Sequence, residues 1–333
     1  MTKAGRGAGA VTERDLDVGR GVRIHLVEQG GGPAVLLVHG FPETSYSWRH
    51  QLPALAAAGY RAVAIDVRGY GGSSRPASVD EYRMVRHVAD NVAVTEALGV
   101  DHVVIVGHDW GAPIAWSSTL MRPDLFDALV LLSVPYAPPG AEAPTAVFAR
   151  LAGPEHEFYM SYFQEPGQVE AEIEPDVRGF LAGVYLGASG DAPPGTANFS
   201  FIPRGATFRE MLPRVDTWPE LGWMDEEDFE RYVGAFEETG LTGGLNRYRN
   251  LDGDWADFAA FRGRPIGVPT LFVGGERDGP TIWGTRAIGA FDRTLPDCRG
   301  VHVLSGVGHW IQQEAAVEVN RLLLAFLAEV RPT

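Results

Sequence analysis

Two kinds of apolar pattern alternate along the first third of the chain. Val35-Leu36-Leu37-Val38 and Val103-Val104-Ile105-Val106 are unbroken apolar runs bounded by Gly or polar residues, the mark of strands buried on both faces. Val22–Gln29 alternates apolar with polar, and Gly30-Gly31-Gly32-Pro33 after it reads as a turn. Helical periodicity covers Ser47–Ala58, Met84–Leu98 and Ala112–Met121, with further strands at Arg61–Ile65 and Ala128–Ser133. This rhythm predicts an α/β protein with a mostly parallel central sheet and helices on both faces.

The rhythm stops at Pro135. From residue 136 to 250 no clear buried strand is legible. The stretch is rich in Pro, Gly, Glu and aromatics, among them Phe158, Phe163, Phe180 and Trp223, and reads as a helical insertion. Strand pattern returns at Thr270–Val273 and Val301–Leu304, and an amphipathic helix, Ala315–Val330, closes the chain. The expected organisation is a sheet core of residues 1–135 and 251–333 interrupted by a cap of residues 136–250. Residues 1 to about 12 are Gly-rich and charged and are expected to form a loose tail.

Composition narrows the function. With 333 residues the chain can bury a large core, and 45% apolar with 21% charged residues is ordinary for a globular enzyme. A formal charge of −15 excludes a nucleic-acid binder, which needs a basic surface. No apolar run reaches the length of a membrane span, and the N-terminus lacks the apolar core of a signal peptide. The single cysteine, Cys298, rules out an internal disulfide or a Cys-cluster metal site and predicts a reducing, cytoplasmic setting. The only lysine is Lys3, which leaves no Walker-A or Schiff-base lysine. The glycines of Gly69–Ser73 do not follow the first strand, open no helix and lack the full dinucleotide-binding spacing, so they read as a structural turn. No metal and no cofactor is expected.

The most informative residues are Gly107-His108-Asp109-Trp110-Gly111. Strand-like residues precede them and a helix start with Pro113 in its first turn follows, the setting of a nucleophile elbow. The centre holds Asp where an esterase holds Ser. A carboxylate is already an anion at neutral pH and attacks a saturated electrophilic carbon directly, leaving an alkyl ester on the enzyme. That moves the expected chemistry to epoxides or carbon–halogen bonds.

Hydrolysis of such an ester needs a base and its orienting acid, which in this chain order follow the nucleophile at the ends of later strands. Of nine histidines, His309 alone lies in a Gly-rich loop after the last strand; His302 lies inside that strand and His108 inside the elbow, so both read as structural. Asp278, in Gly274–Gly279 after the preceding strand, is the favoured acid, with Glu276 a second candidate. The ester's oxyanion needs backbone donors, and the amides of Trp110 and of Phe41 in the loop His39-Gly40-Phe41-Pro42-Glu43 are placed for it.

His39–Glu43, Asp66–Ser73 and Gly107–Gly111 resemble the soluble epoxide hydrolases of the α/β-hydrolase fold, as do Phe158–Gly167 and Leu245-Asn246-Arg247-Tyr248-Arg249-Asn250 in the insertion. The resemblance runs through nearly the whole chain after the tail. It implies a cis Phe41–Pro42 bond and two cap tyrosines, Tyr159 and Tyr248, that donate hydrogen bonds to the epoxide oxygen. Spacing alone does not separate Tyr159 from Tyr162, three residues on; the choice of Tyr159 rests on the resemblance. Two phenols make chemical sense, because ring opening builds negative charge on a poor leaving group. Phe41, Trp110 and Tyr162 are the expected substrate contacts. The expected partners are a small hydrophobic epoxide and water, and a homo-oligomer is left open. The alternatives are a haloalkane or haloacid dehalogenase on the same scaffold and a non-catalytic ligand-binding relative. A departing halide needs no proton, so the tyrosine pair favours the epoxide. A binding protein has no use for nucleophile, acid, base and donor loop together.

Overall fold

The computed structural model describes residues 9–193, 196, 199–215, 218 and 221–333. Of the expected tail, residues 1–8, including Lys3, lie outside the described residues.

Eight strands form the central sheet: β1 (Thr12–Asp17), β2 (Arg23–Gly30), β3 (Ala34–Val38), β4 (Arg61–Ile65), β5 (Val103–His108), β6 (Phe126–Leu132), β9 (Thr270–Gly275) and β10 (Cys298–Leu304). β7 (His156–Phe158) and β8 (Phe201–Pro203) pair separately as an antiparallel ribbon. The sheet order is β1-β2-β4-β3-β5-β6-β9-β10; β2 runs antiparallel to both its neighbours, β1 and β4, and all other pairs are parallel. β3, β5 and β9 are buried at every position. Leu36 and Val38 face one side with Val63 and Ile105, and Val35 and Leu37 face the other with Val104 and Val106. Helices α2 (Met84–Leu98) and α3 (Gly111–Met121) cover the first side. Helix α1 (Gln51–Ala57) and the terminal helix Ala316–Val330 cover the second. Apolar side chains are therefore required on both faces, which is why these strands read as unbroken runs.

Two elements were not legible. β1, Thr-Glu-Arg-Asp-Leu-Asp, is polar because it is an edge strand, and the charges that hide its pattern protect the edge. The ribbon β7–β8 lies inside the stretch expected to be helical; each strand has only three residues, too few to show a period. Otherwise the chain between β6 and β9 is helical among the described residues, with Val177–Ala188 and Glu226–Thr239 its longest helices. No helix among the described residues is long and apolar enough to cross a membrane.

Candidate active site

The turn from β5 into α3 places Asp109 with φ +49, a left-handed conformation that L side chains rarely adopt. Tight packing enforces it. A Cβ at Gly107 would lie 2.1 Å from the Gly111 carbonyl oxygen, and one at Gly111 would lie 2.0 Å from the Val38 carbonyl oxygen. The elbow thus presses on the end of β3, and the loop after β3 reaches over Asp109. The Phe41 amide donates to Asp109 Oδ1 at 2.8 Å, and the Phe41–Pro42 bond is cis, as the resemblance implied.

His309 Nε2 faces Asp109 Oδ2 at 3.5 Å, while its Nδ1 lies 2.8 Å from Asp278 Oδ1. Asp278 is fully buried. Its second oxygen accepts from the Ser133 hydroxyl at 2.7 Å and lies 2.7 Å from the Thr281 hydroxyl. Sequence reasoning did not single out Ser133 or Thr281 as partners of Asp278; Ser133 carries a φ of +72 just past β6, which no local pattern signals. Burial alone would lower the pKa of the His309 imidazole, but the Asp278 and Asp109 carboxylates outweigh it and hold the pKa well above the usual 6.5. Glu276, the second candidate acid, is exposed and accepts instead from the Ser305 hydroxyl and the Gly306 amide.

Asp109, Asp278 and His309 line a cavity of about 350 Å³ together with Phe41, Tyr159 and Tyr248. The two tyrosine rings lie 6.1 Å apart, centroid to centroid. Gln164 holds their supports together, its amide donating to the carbonyls of Met160 and Tyr248 at 2.7 and 2.9 Å. Burial, then the neighbouring Asp109 and Asp278 carboxylates, pushes the Tyr159 phenol well above 10. For Tyr248 burial again dominates, followed by Tyr159 and Asp109, with the Trp110 indole acting the other way. Both phenols therefore keep their protons and can donate.

Two of the expected substrate contacts, Tyr162 and Trp110, lie outside the lining of this cavity. Tyr162 does not line the cavity; its hydroxyl donates to Glu172. Tyr159 and Tyr162 are offset by only about 60° on the short helix Tyr159–Tyr162, and their partners separate them: the Tyr159 ring packs on Phe163 and Tyr248 while Glu172 holds the Tyr162 hydroxyl. Trp110 does not line it either, because its ring is covered by the Arg247 guanidinium at 4.9 Å and by Tyr248 at 5.0 Å. His108 is fully buried, with Nδ1 2.7 Å from Glu43 Oε2 and Nε2 2.7 Å from the His309 carbonyl.

A family model of the alpha/beta hydrolase fold matches residues 33–163. Epoxide hydrolase A of Mycobacterium tuberculosis is 42% identical, the alignment covering 96% of this chain and 98% of that protein. Epoxide hydrolase B of the same organism is 40% identical, covering 94% and 97%. Among solved structures, an epoxide hydrolase from an endophytic Streptomyces superposes with a TM-score of 0.92 at 56% identity, covering 98% of this chain and 97% of that one. Sheet order, elbow and matches together define an α/β hydrolase. Within that fold the chain belongs to the epoxide hydrolases.

Proposed function

We propose that the enzyme converts a hydrophobic epoxide and water to a vicinal diol through an alkyl ester on Asp109. One observation carries this reading: a single cavity holds a carboxylate, an acid-oriented imidazole and a pair of protonated phenols. Asp109 Oδ2 attacks an epoxide carbon, the carbon–oxygen bond breaks, and its electrons go to the oxygen. Tyr159 and Tyr248 stabilise that charge and deliver a proton. Asp109 Oδ1, bonded to the Phe41 amide, becomes the ester carbonyl oxygen. Water then attacks the ester carbon as His309 Nε2 takes its proton, and charge develops on Oδ1 between the Phe41 and Trp110 amides. Collapse expels the alkoxide, which takes the proton of the newly formed Asp109 carboxyl group and leaves as the diol. His309 passes the proton it took from water to the phenolate, so that carboxylate, imidazole and phenol are all restored.

The charges order the two steps. In the free enzyme two carboxylates raise the His309 pKa against the effect of burial. Alkylation neutralises Asp109 and removes one of them, which favours the basic imidazole the second step needs. A halide would leave without a proton, so the phenols serve an epoxide oxygen better than a halogen. The cap of residues 136–250 supplies both phenols, and the lone Cys298 suits a cytoplasmic setting.

Single turnover in ¹⁸O-water tests the scheme. Label is expected in Asp109 and not in the first-formed diol, and label in the diol alone would exclude attack by the carboxylate. Asp109→Ala is expected to abolish epoxide turnover. His309→Gln is expected to accumulate an Asp109 adduct by intact-mass spectrometry without releasing diol.

A further inference from the structure

The loop carrying His309 is fastened to the insertion by a device that the two-step reading does not use. Helix Val177–Ala188 ends against this loop, where the His309 amide donates to the Ala188 carbonyl at 2.8 Å. Two residues on, the Gly190 amide donates to Glu314 Oε2 at 2.9 Å. The same oxygen accepts the Gly308 amide at 2.8 Å, and Glu314 Oε1 accepts the Trp310 amide at 3.0 Å. One carboxylate therefore takes an amide from each side of His309 and a third from the insertion. Nothing separates the two backbones. A Cβ at Gly190 would lie 2.2 Å from the Gly306 carbonyl oxygen, and one at Gly308 would lie 2.2 Å from the Gly190 nitrogen. Arg277, beside Asp278, donates to the Gly190 carbonyl at 2.5 Å and pins the same strap from the acid loop.

We infer that Glu314 is a positioning residue for the base: it fastens residues 188–190 to residues 308–310 and so fixes where His309 Nε2 stands relative to Asp109. A carboxylate suits the task because it accepts on both oxygens and donates on neither. An amide in its place keeps one acceptor and turns an N–H toward a backbone N–H. Burial raises the Glu314 carboxyl above 4.5, and the three amides pull it back toward the ionised form. The inference rests on the two-step reading, and it concerns the second step, which alone requires His309 to meet a water at the ester. Alkylation by Asp109 under the tyrosines does not pass through this loop.

Glu314→Gln tests it. Hydrolysis of the alkyl-enzyme is expected to slow roughly 10- to 100-fold, the effect of a small misplacement of a reacting group. Adduct formation in rapid-mixing experiments is expected to change by less than about twofold, so kcat falls while adduct accumulates in the steady state. A merely structural role would lower both rates together or lower only the melting temperature, and either result without adduct overturns the assignment. Gly190→Ala, which drives the strap off the loop and leaves Glu314 intact, is expected to show the same accumulation and serves if Glu314→Gln does not fold. Failure of both to fold counts for a structural role and against positioning. His309→Gln is run alongside. If it builds no adduct, the two-step reading itself falls; if it does and Glu314→Gln does not, only the role of Glu314 falls.

Discussion

At the scale of residues, the site works by opposing charges. Two carboxylates flank one imidazole, and the phenols that complete the cavity are kept neutral by burial and by those same carboxylates. Tyr159→Phe and Tyr248→Phe are each expected to slow ring opening on the order of 100-fold, the loss seen when one donor to a developing oxyanion is removed. Hydrolysis of a preformed adduct should be unaffected, and rapid quench with separate quantitation of adduct and diol distinguishes the two. Tyr162→Phe is the internal control; with its hydroxyl on Glu172, it should leave ring opening unchanged. Because both donor phenols lie well above 10, ring opening should lose no rate to their ionisation below about pH 10.

At the scale of elements, the strand-to-helix turn does two jobs that compete for the same space. It must expose a side chain above the sheet, which needs the left-handed backbone of Asp109, and it must let α3 close on β3. A left-handed non-glycine residue costs roughly 1–3 kcal/mol and persists only where the surroundings over-determine it. Here the surroundings are backbone atoms about 2 Å from any Cβ placed at Gly107 or Gly111, so neither can give way. Gly107→Ala is expected to lower the free energy of unfolding by about 1–3 kcal/mol, as overpacking in a core does. It should also reduce turnover by tilting Asp109 away from the Phe41 amide. Denaturant unfolding and epoxide kinetics on the same preparation check both. The elbow was legible in Gly107–Gly111 because its glycines and flanking runs are local. β1 was not, because an edge strand exposes its charges and takes its conformation from pairing with β2.

At the scale of the molecule, the two halves of the core meet at one buried carboxylate. Glu43 accepts from the Gln312 and Gln313 amides at 2.9 and 3.1 Å, pairs with His108 at 2.7 Å and accepts the Gly40 amide at 3.2 Å. Burial alone would raise its pKa; the charge and hydrogen bond of His108 more than offset this and hold it at about 2 instead of 4.5. A depressed carboxyl contributes stability that is present above its unfolded value and lost as pH falls through its folded one. Glu43→Gln should therefore destabilise most above about pH 4.5, and the deficit should shrink toward pH 2; melting curves of both proteins across that range measure it. What the sequence alone determined were the features written into contiguous residues. Strands buried on both faces must be unbroken apolar runs, and the elbow and the chain order single out Asp109, Asp278 and His309 as the candidate residues. Tertiary structure decided what depends on partners remote in the chain. It joined Tyr159 to Tyr248 across one cavity, put Ser133 and Thr281 on Asp278, turned Tyr162 and Trp110 away from the cavity, and set Glu314 astride His309. The physical reason is range. Propensity and periodicity report a residue's near neighbours, whereas hydrogen bonds and desolvation act over a few ångströms between segments that only the folded chain brings together.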